Sequence, residues 1–223
     1  MNGCVGSDRL ATLARSGLAE AGVDQNEVFH VGSPDTGIAL VLVDASGETE
    51  IVVVPGANTS FEPSDVVLGD ADGVLCQLEI PVETVAAAAL ETKGFFCLNA
   101  APAKPVPGEV VGRADLVVVN RYELDALPEA PRLTALTLGA GGAVLLEDGE
   151  EVARAQPPKV EAVDGTAAGD AFTACLVVSL LEGRDRQQAL ERACAAGALA
   201  ASREGAQPSL PTSGEVDAIL RRR

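Results

Sequence analysis

Val163 to Gly183 reads VDGTAAGDAFTACLVVSLLEG, a run of glycine and small residues followed by one acid and then an apolar stretch. Coming after a β-type run over Gln156 to Val163, it predicts a strand that turns into a helix. Gly165 to Gly169 carries almost no side chains, so backbone N–H groups at the helix start are free to close around an anion. Asp170 falls in the first helical turn, where the helix dipole favours an ionised carboxylate. A carboxylate so placed can accept the proton of a hydroxyl that attacks a phosphoryl group. A glycine-rich turn with an acid that favours the dipole is the bland reading of the same residues, and spacing alone does not separate the two.

Outward from this turn, composition narrows the classes. The chain has 223 residues, enough for a sizeable core in one domain, with 47% hydrophobic and only 3% aromatic residues. Ala, Val and Leu therefore carry the packing. A formal charge of −17 argues against a nucleic-acid partner, which calls for clustered Lys and Arg. It leaves a nucleotide open, because backbone amides and a divalent metal hold phosphates on acidic proteins. Cysteines 4, 76, 97, 175 and 194 form no CxxC pair, and their odd number points to reduced thiols in a cytoplasm. No apolar run approaches the ~20 residues of a membrane span. His30 is the single histidine, so multi-histidine metal sites lack residues and a carboxylate is the expected base. No Walker loop occurs, and Gly139 to Gly142 (GAGG) falls short of a dinucleotide fingerprint.

Along the chain, Asp8 to Gly22 has helical apolar spacing and Val28 to Val31 is a short strand. Thr36 to Val43 and Glu48 to Val54 read as two strands joined at Asp44 to Gly47, a hairpin. The first of them is apolar on both faces, which predicts that both faces meet something. Strand and helix then alternate: Gly73 to Gln77, Val82 to Thr92, Phe95 to Asn99 and Asp115 to Val119. Such alternation predicts a mainly parallel sheet flanked by helices, an α/β fold. Glu79, Asn99, Asn120 with Glu123, Gly139 and the turn before Asp170 all follow strand ends, where such sheets place their sites. Between Glu123 and Leu133 two prolines leave little room for a full helix. Leu133 to Leu138 and Ala143 to Glu147 read as strands, and Asp170 to Leu181 and Arg186 to Arg203 as two Ala-rich helices.

The run from Asp164 to Phe172 (DGTAAGDAF) resembles the C-terminal signature of the ribokinase family of carbohydrate and nucleoside kinases. Arg203 to Pro211 (REGAQPSLP) extends the likeness. So do CVGSD at 4–8, Thr36-Gly37, PGAN at 55–58, QLE at 77–79, NAAP at 99–102, NRYE at 120–123 and TLG at 137–139, all in the family's order. The resemblance implies a ribokinase-like fold with a small β lid made by the hairpin at about 36–54. It also implies ATP-dependent phosphorylation of a sugar hydroxyl, with D-ribose going to ribose 5-phosphate, or else of another sugar or a nucleoside.

Residue by residue, the resemblance makes Asp170 the base and the backbone of Ala167, Ala168 and Gly169 the anion hole. Asn120 and Glu123 match the family's Asn-x-x-Glu, which helps hold Mg²⁺ through water and the phosphates; alone, that pair is also a helix cap. Thr137, Gly139, Gly141 and Gly142 resemble the loop passing the nucleotide, with a tight turn as the alternative. Cys194, Gly197 and Ala198 are expected at an adenine slot, although small helix faces also serve close helix packing. The resemblance places Ala39, Val41 and Val53 on the sugar side of the lid; Glu79 is the remaining candidate for hydrogen bonds to sugar hydroxyls, with a plain strand-end acid as the alternative. Asp164, Thr166, Ala200, Arg203, Gly205 and Ser209 resemble a monovalent-cation site of oxygen ligands, suited to K⁺. Gly165 departs from the usual threonine. The expected partners are a small sugar and ATP, with a possible homodimer through the lid hairpin, no nucleic acid and no membrane. Family chains begin with a strand and a Gly-Gly-Lys-Gly-Ala-Asn sugar motif, roughly a fifth of their length and more than a frayed terminus. The chain is expected to be a single domain over 1–223, and the motif's absence before Cys4 predicts either a truncated gene or a start placed too far downstream. A truncated, catalytically weak nucleotide-binding or interaction protein is the alternative function.

Overall fold

The computed structural model describes residues 1–43 and 49–222. Their contacts divide the chain into two compact units, Met1–Gly69 with Glu79–Ala87 and Asp70–Leu78 with Ala88–Arg223.

In the first unit, β1 (Asn2–Gly6) and β2 (Glu27–Val31) pair in parallel, joined by α1 (Arg9–Glu20). Asp8 starts that helix: its carboxylate accepts the amides of Leu10 at 2.8 Å and Ala11 at 3.0 Å, two donors that lack partners within a first turn. Two glycines in five residues hid β1 from pattern reading; its register with β2, Asn2 opposite Glu27, is what holds it extended. Cys4, Ala57 and Phe61 form the buried cluster beneath this pair, with Phe29 and Val31 against it.

The expected hairpin is β3 (Ile38–Val43) against β4 (Thr49–Val54), antiparallel, with Ala39 opposite Val53 and Leu40 opposite Val52. The expected turn at Asp44 to Gly47 lies outside the described residues. No described residue of the same chain covers either face of the hairpin, so whatever these faces meet lies outside it. Leu40 is 54% exposed on one face and Val53 51% on the other, so within one chain both faces stand open. The hairpin springs from a tight root. Thr36 donates its amide to Asp8 Oδ2 at 2.6 Å, its hydroxyl accepts the Gly6 amide at 2.9 Å, and the Ala57 amide reaches the Asp35 carbonyl at 2.8 Å.

The second unit is a six-stranded sheet in the order β10-β9-β8-β7-β6-β5. Its parallel strands are β5 (Gly73–Cys76), β6 (Phe95–Asn99), β7 (Leu116–Val119) and β8 (Leu133–Thr137). β9 (Ala143–Glu147) and β10 (Glu150–Ala155) add antiparallel neighbours at one edge. The second unit also carries α3 (Gly108–Arg113), α4 (Arg121–Asp125), α5 (Ala168–Leu181), α6 (Arg186–Ala201) and α7 (Ser213–Leu220), while α2 (Val82–Glu91) is divided between the two units. β7 and β8 are entirely or largely buried, and Leu116, Leu145, Leu176 and Leu190 meet in the main core cluster with Phe172. α5 and α6 lie so close that a Cβ on Gly197 would stand 3.1 Å from the Ala168 carbonyl oxygen.

Two further expectations change. The last strand is Glu150–Ala155, and Gln156 to Val163 is not a strand. Pro157 and Pro158 have no N–H to give a ladder, so the chain leaves the sheet there. The connection from β7 to β8 carries only the five-residue α4, as the prolines indicated. α3 and α7 escaped pattern reading because each is short.

Candidate functional site

The parallel strands of the second unit put the ends of β6, β7 and β8 on one edge, which brings Asn99, Asn120 and the turn after Thr137 to the same side of the sheet. Next to the β8 end lies a cavity of about 690 Å³. One wall is Thr137, Gly139 and Gly142, another is Cys194, Gly197 and Ala198 on α6, and Ala168 and Gly169 at the start of α5 complete the far end. The expected nucleotide loop, adenine slot and helix start therefore share one space. Gly141, Asn120 and Glu123 are not among the lining residues.

Details sort the glycines and small residues. Gly139 and Gly169 have open space where a side chain would stand, so a ligand has close access to their backbone. Gly142, at φ 87°, is a glycine for the turn's own sake, because a Cβ there would overlap the Ala155 carbonyl oxygen. Gly197 serves both readings, lining the cavity and admitting α5. Thr137 ties β8 to β7 by donating its hydroxyl to the Val119 carbonyl at 3.2 Å. Missed from the sequence was the third wall, Gln156 to Val160, together with Phe172. The signal was the Pro157-Pro158 pair, which stiffens the segment leading into the glycine-rich turn.

Asp170 occupies the first turn of α5, and no side chain among the described residues caps that helix. Of the three amides expected to form an anion hole, that of Ala168 donates to the Gly165 carbonyl at 3.1 Å. Burial pushes the Asp170 carboxyl above the ordinary carboxylate value, in the direction opposite to that in which a helix N-terminus acts. The residue as a whole is open to solvent. Protein around the carboxyl itself nonetheless removes enough water to raise its proton affinity. A carboxylate held at raised proton affinity is a better proton acceptor.

Asn120 and Glu123 form a reciprocal capping box on α4, so the cap reading is true of the chain by itself. The box uses Asn120 Oδ1 and Glu123 Oε2, which leaves Glu123 Oε1 and Asn120 Nδ2 outside it. Burial raises the Glu123 carboxyl, partly offset by the hydrogen bond from the Asn120 amide. Among the described residues no three His, Cys, Asp or Glu side chains gather into a metal cage. A divalent ion at this edge would keep mostly water and phosphate ligands.

Beside the helix start, Asp164 closes a loop. Its Oδ1 accepts the Thr166 hydroxyl and, at 2.9 Å, the Thr166 amide; its Oδ2 accepts the Gly205 amide at 2.9 Å. These bonds, the Thr166 hydroxyl foremost, hold its carboxyl below the ordinary value. Asp164, Thr166 and Gly205 are thus together, and Gly205 meets Asp164 through its N–H. The Ala200 carbonyl accepts the Arg203 amide at 3.0 Å, and the buried Ser209 donates its hydroxyl to the Ala206 carbonyl at 2.7 Å. Glu79, Ala39, Val41 and Val53, the implied sugar set, belong to the first unit, and Ala39, Val41 and Val53 lie on one face of the hairpin by register.

Residues 1–213 match the family described as pfkB family carbohydrate kinase. The chain is 33% identical to the ribokinase of Bacillus subtilis over 99% of its own length and 80% of that protein's. It is 34% identical to the ATP-dependent ribose-1-phosphate kinase of Halopiger xanaduensis, again over 99% of this chain and 80% of the other. The solved structure of Arabidopsis thaliana ribokinase complexed with ribose and ATP superposes with a TM-score of 0.84 at 27% identity, covering 99% of this chain and 81% of that one.

Proposed function

Because the chain belongs to the pfkB family of carbohydrate kinases and is an ATP-dependent sugar kinase, we propose that its acceptor is D-ribose, phosphorylated on the primary hydroxyl to ribose 5-phosphate. The observation that carries this reading is the adjacency of a desolvated carboxylate, Asp170, to an uncapped helix start at one end of the 690 Å³ cavity. Asp170 takes the proton of the acceptor hydroxyl as that oxygen bonds the γ-phosphorus and the bond to the β-phosphate oxygen breaks, releasing ADP. The free amides at the start of α5 face the charge that gathers on the moving phosphoryl group.

Magnesium, when bound, neutralises the phosphates. Glu123, with an oxygen outside the capping box, would hold one of its waters, and Asn120 Nδ2 would be a donor for a phosphate oxygen. We assign K⁺ to the loop of Asp164, Thr166 and Gly205 with the carbonyls of Ala200 and Arg203 and the hydroxyl of Ser209. An ionised Asp164 beside the Thr166 hydroxyl supplies the negative charge that a hard monovalent cation calls for. Sugar contact falls to Glu79 and to the Ala39, Val41 and Val53 face of the hairpin, which acts as the lid; its opposite face takes a second copy of the chain. No helix among the described residues is long and apolar enough to cross a membrane, and the five cysteines are free thiols. That is the state a reducing compartment maintains, and we place the enzyme in the cytoplasm.

A second acceptor is favoured by the 34% identical relative that is a ribose-1-phosphate kinase. The deciding measurement is ADP release with ribose, ribose 1-phosphate and a nucleoside as alternative acceptors, with mass spectrometry of the product. Ribose-dependent release supports the reading; release only with one of the other two overturns the ribose assignment.

A further inference from the structure

The cavity beside the α5 start is lined by glycines, alanines, prolines and a few other uncharged side chains, with one exception. Among the described residues, Lys159 is the only charged one on its lining. It is also one of only three lysines in the chain, in a protein of formal charge −17. Among the described residues it takes part in no ion pair. Pro157 and Pro158 precede it on the same wall, and their fixed φ angles limit the paths of the segment that presents it. A stiff segment loses less freedom when its lysine engages a ligand.

We propose that Lys159 binds the phosphate chain of the nucleotide and makes this site select nucleoside polyphosphates over nucleosides. The inference rests on the cavity being the nucleotide site. A magnesium nucleotide still carries net negative charge, and it approaches a strongly acidic protein whose cavity walls are otherwise neutral. Within that lining an ammonium group has no competing cation and no lining carboxylate to neutralise it, so its attraction is directed at the ligand. The nucleobase and sugar, being uncharged, gain little from it. The small residues of α6 and the β8–β9 turn contact them by shape.

Calorimetry with ADP and with adenosine on the full chain, its Lys159→Met variant and its Lys159→Arg variant tests this. For Lys159→Met the ADP Kd rises about tenfold, the loss expected of one charge-assisted contact. The adenosine Kd stays unchanged, and Lys159→Arg keeps wild-type ADP affinity. Unchanged ADP affinity in Lys159→Met overturns the proposal, as does an equal loss for ADP and adenosine, which assigns the side chain to cavity shape. Failure of the wild-type chain to bind either ligand overturns the nucleotide reading itself and the proposal with it.

Discussion

Asn120 and Glu123 hold each other at the end of β7: Asn120 Oδ1 accepts the Glu123 amide at 2.9 Å, and Glu123 Oε2 accepts the Asn120 amide at 2.7 Å. The pair is at once a cap and a candidate metal ligand, and two substitutions separate these roles. Glutamine retains an acceptor for the Asn120 amide but no charge, so Glu123→Gln keeps the wild-type melting temperature while the magnesium needed for half-maximal rate rises several-fold. Glu123→Ala shows the same magnesium effect and also loses about 1 kcal/mol of stability with the cap. A change confined to the sugar KM in both variants removes Glu123 from the metal.

Asp170 carries opposite consequences for stability and turnover. Its carboxyl binds a proton more tightly folded than unfolded, because burial disfavours the charge. The ionised form therefore costs stability at every pH above the folded pKa, and that cost fades as pH falls through the folded pKa toward the unfolded one. Asp170→Asn is expected to melt higher than wild type near neutral pH while turnover falls by about two to four orders of magnitude. The acid limb of the wild-type kcat profile should lie above the ordinary carboxylate value. A limb at that ordinary value, or near-normal turnover in the variant, argues against Asp170 as the base.

Much of this was legible in the sequence for identifiable physical reasons. Continuous apolar runs such as Leu116–Val119 and capped, periodic helices such as Arg9–Glu20 announce themselves, and the glycine-rich turn before Asp170 leads into a helix as its residues predict. Asn2–Gly6 did not, since a glycine-containing strand is held by its partner and not by its own propensity. Nor did the end of β10: Gln156 to Val163 has strand-like composition in places, but two prolines remove the donors a ladder needs. The raised Asp170 carboxyl was illegible because burial is a property of the fold, whereas the dipole that opposes it can be read from position in a helix. The cavity wall at Gln156 to Val160 comes from residues that never meet Cys194 or Gly197 in sequence.

Gly142 and Gly165 make opposite predictions within one site. Gly142 has φ 87° and no space for a Cβ against the Ala155 carbonyl, so Gly142→Ala is expected to destabilise by about 2–4 kcal/mol. Gly165 has nothing within 4 Å of where its Cβ would stand. Gly165→Thr should therefore melt close to wild type. Thermal or denaturant unfolding of both variants checks the pair, and equal losses would show that the turn is constrained throughout.

Asp164 accepts three donors, two from Thr166 and one from Gly205, and its depressed carboxyl stays ionised at any pH where the enzyme works. Replacing Na⁺ by K⁺ in the assay is expected to raise the wild-type rate. Asp164→Asn should abolish that response, since Asn keeps an acceptor oxygen but not the charge that draws the cation. A persistent K⁺ response in the variant moves the cation elsewhere.

Leu40 and Val52 face each other across the hairpin, 54% and 46% exposed, on the side opposite Ala39, Val41 and Val53. An isolated two-stranded ribbon is marginal in water, and one with apolar side chains on both faces gains stability by covering them. If one face contacts the sugar, the other is left for a second chain. Leu40→Lys combined with Val52→Glu keeps a favourable cross-strand pair while making that face polar. The double variant is expected to run as a monomer in size-exclusion chromatography with light scattering, where the wild type runs as a dimer. Its ATP affinity should be unchanged, because the cavity belongs wholly to the second unit. A wild-type chain that is monomeric at every accessible concentration removes the second copy from this face.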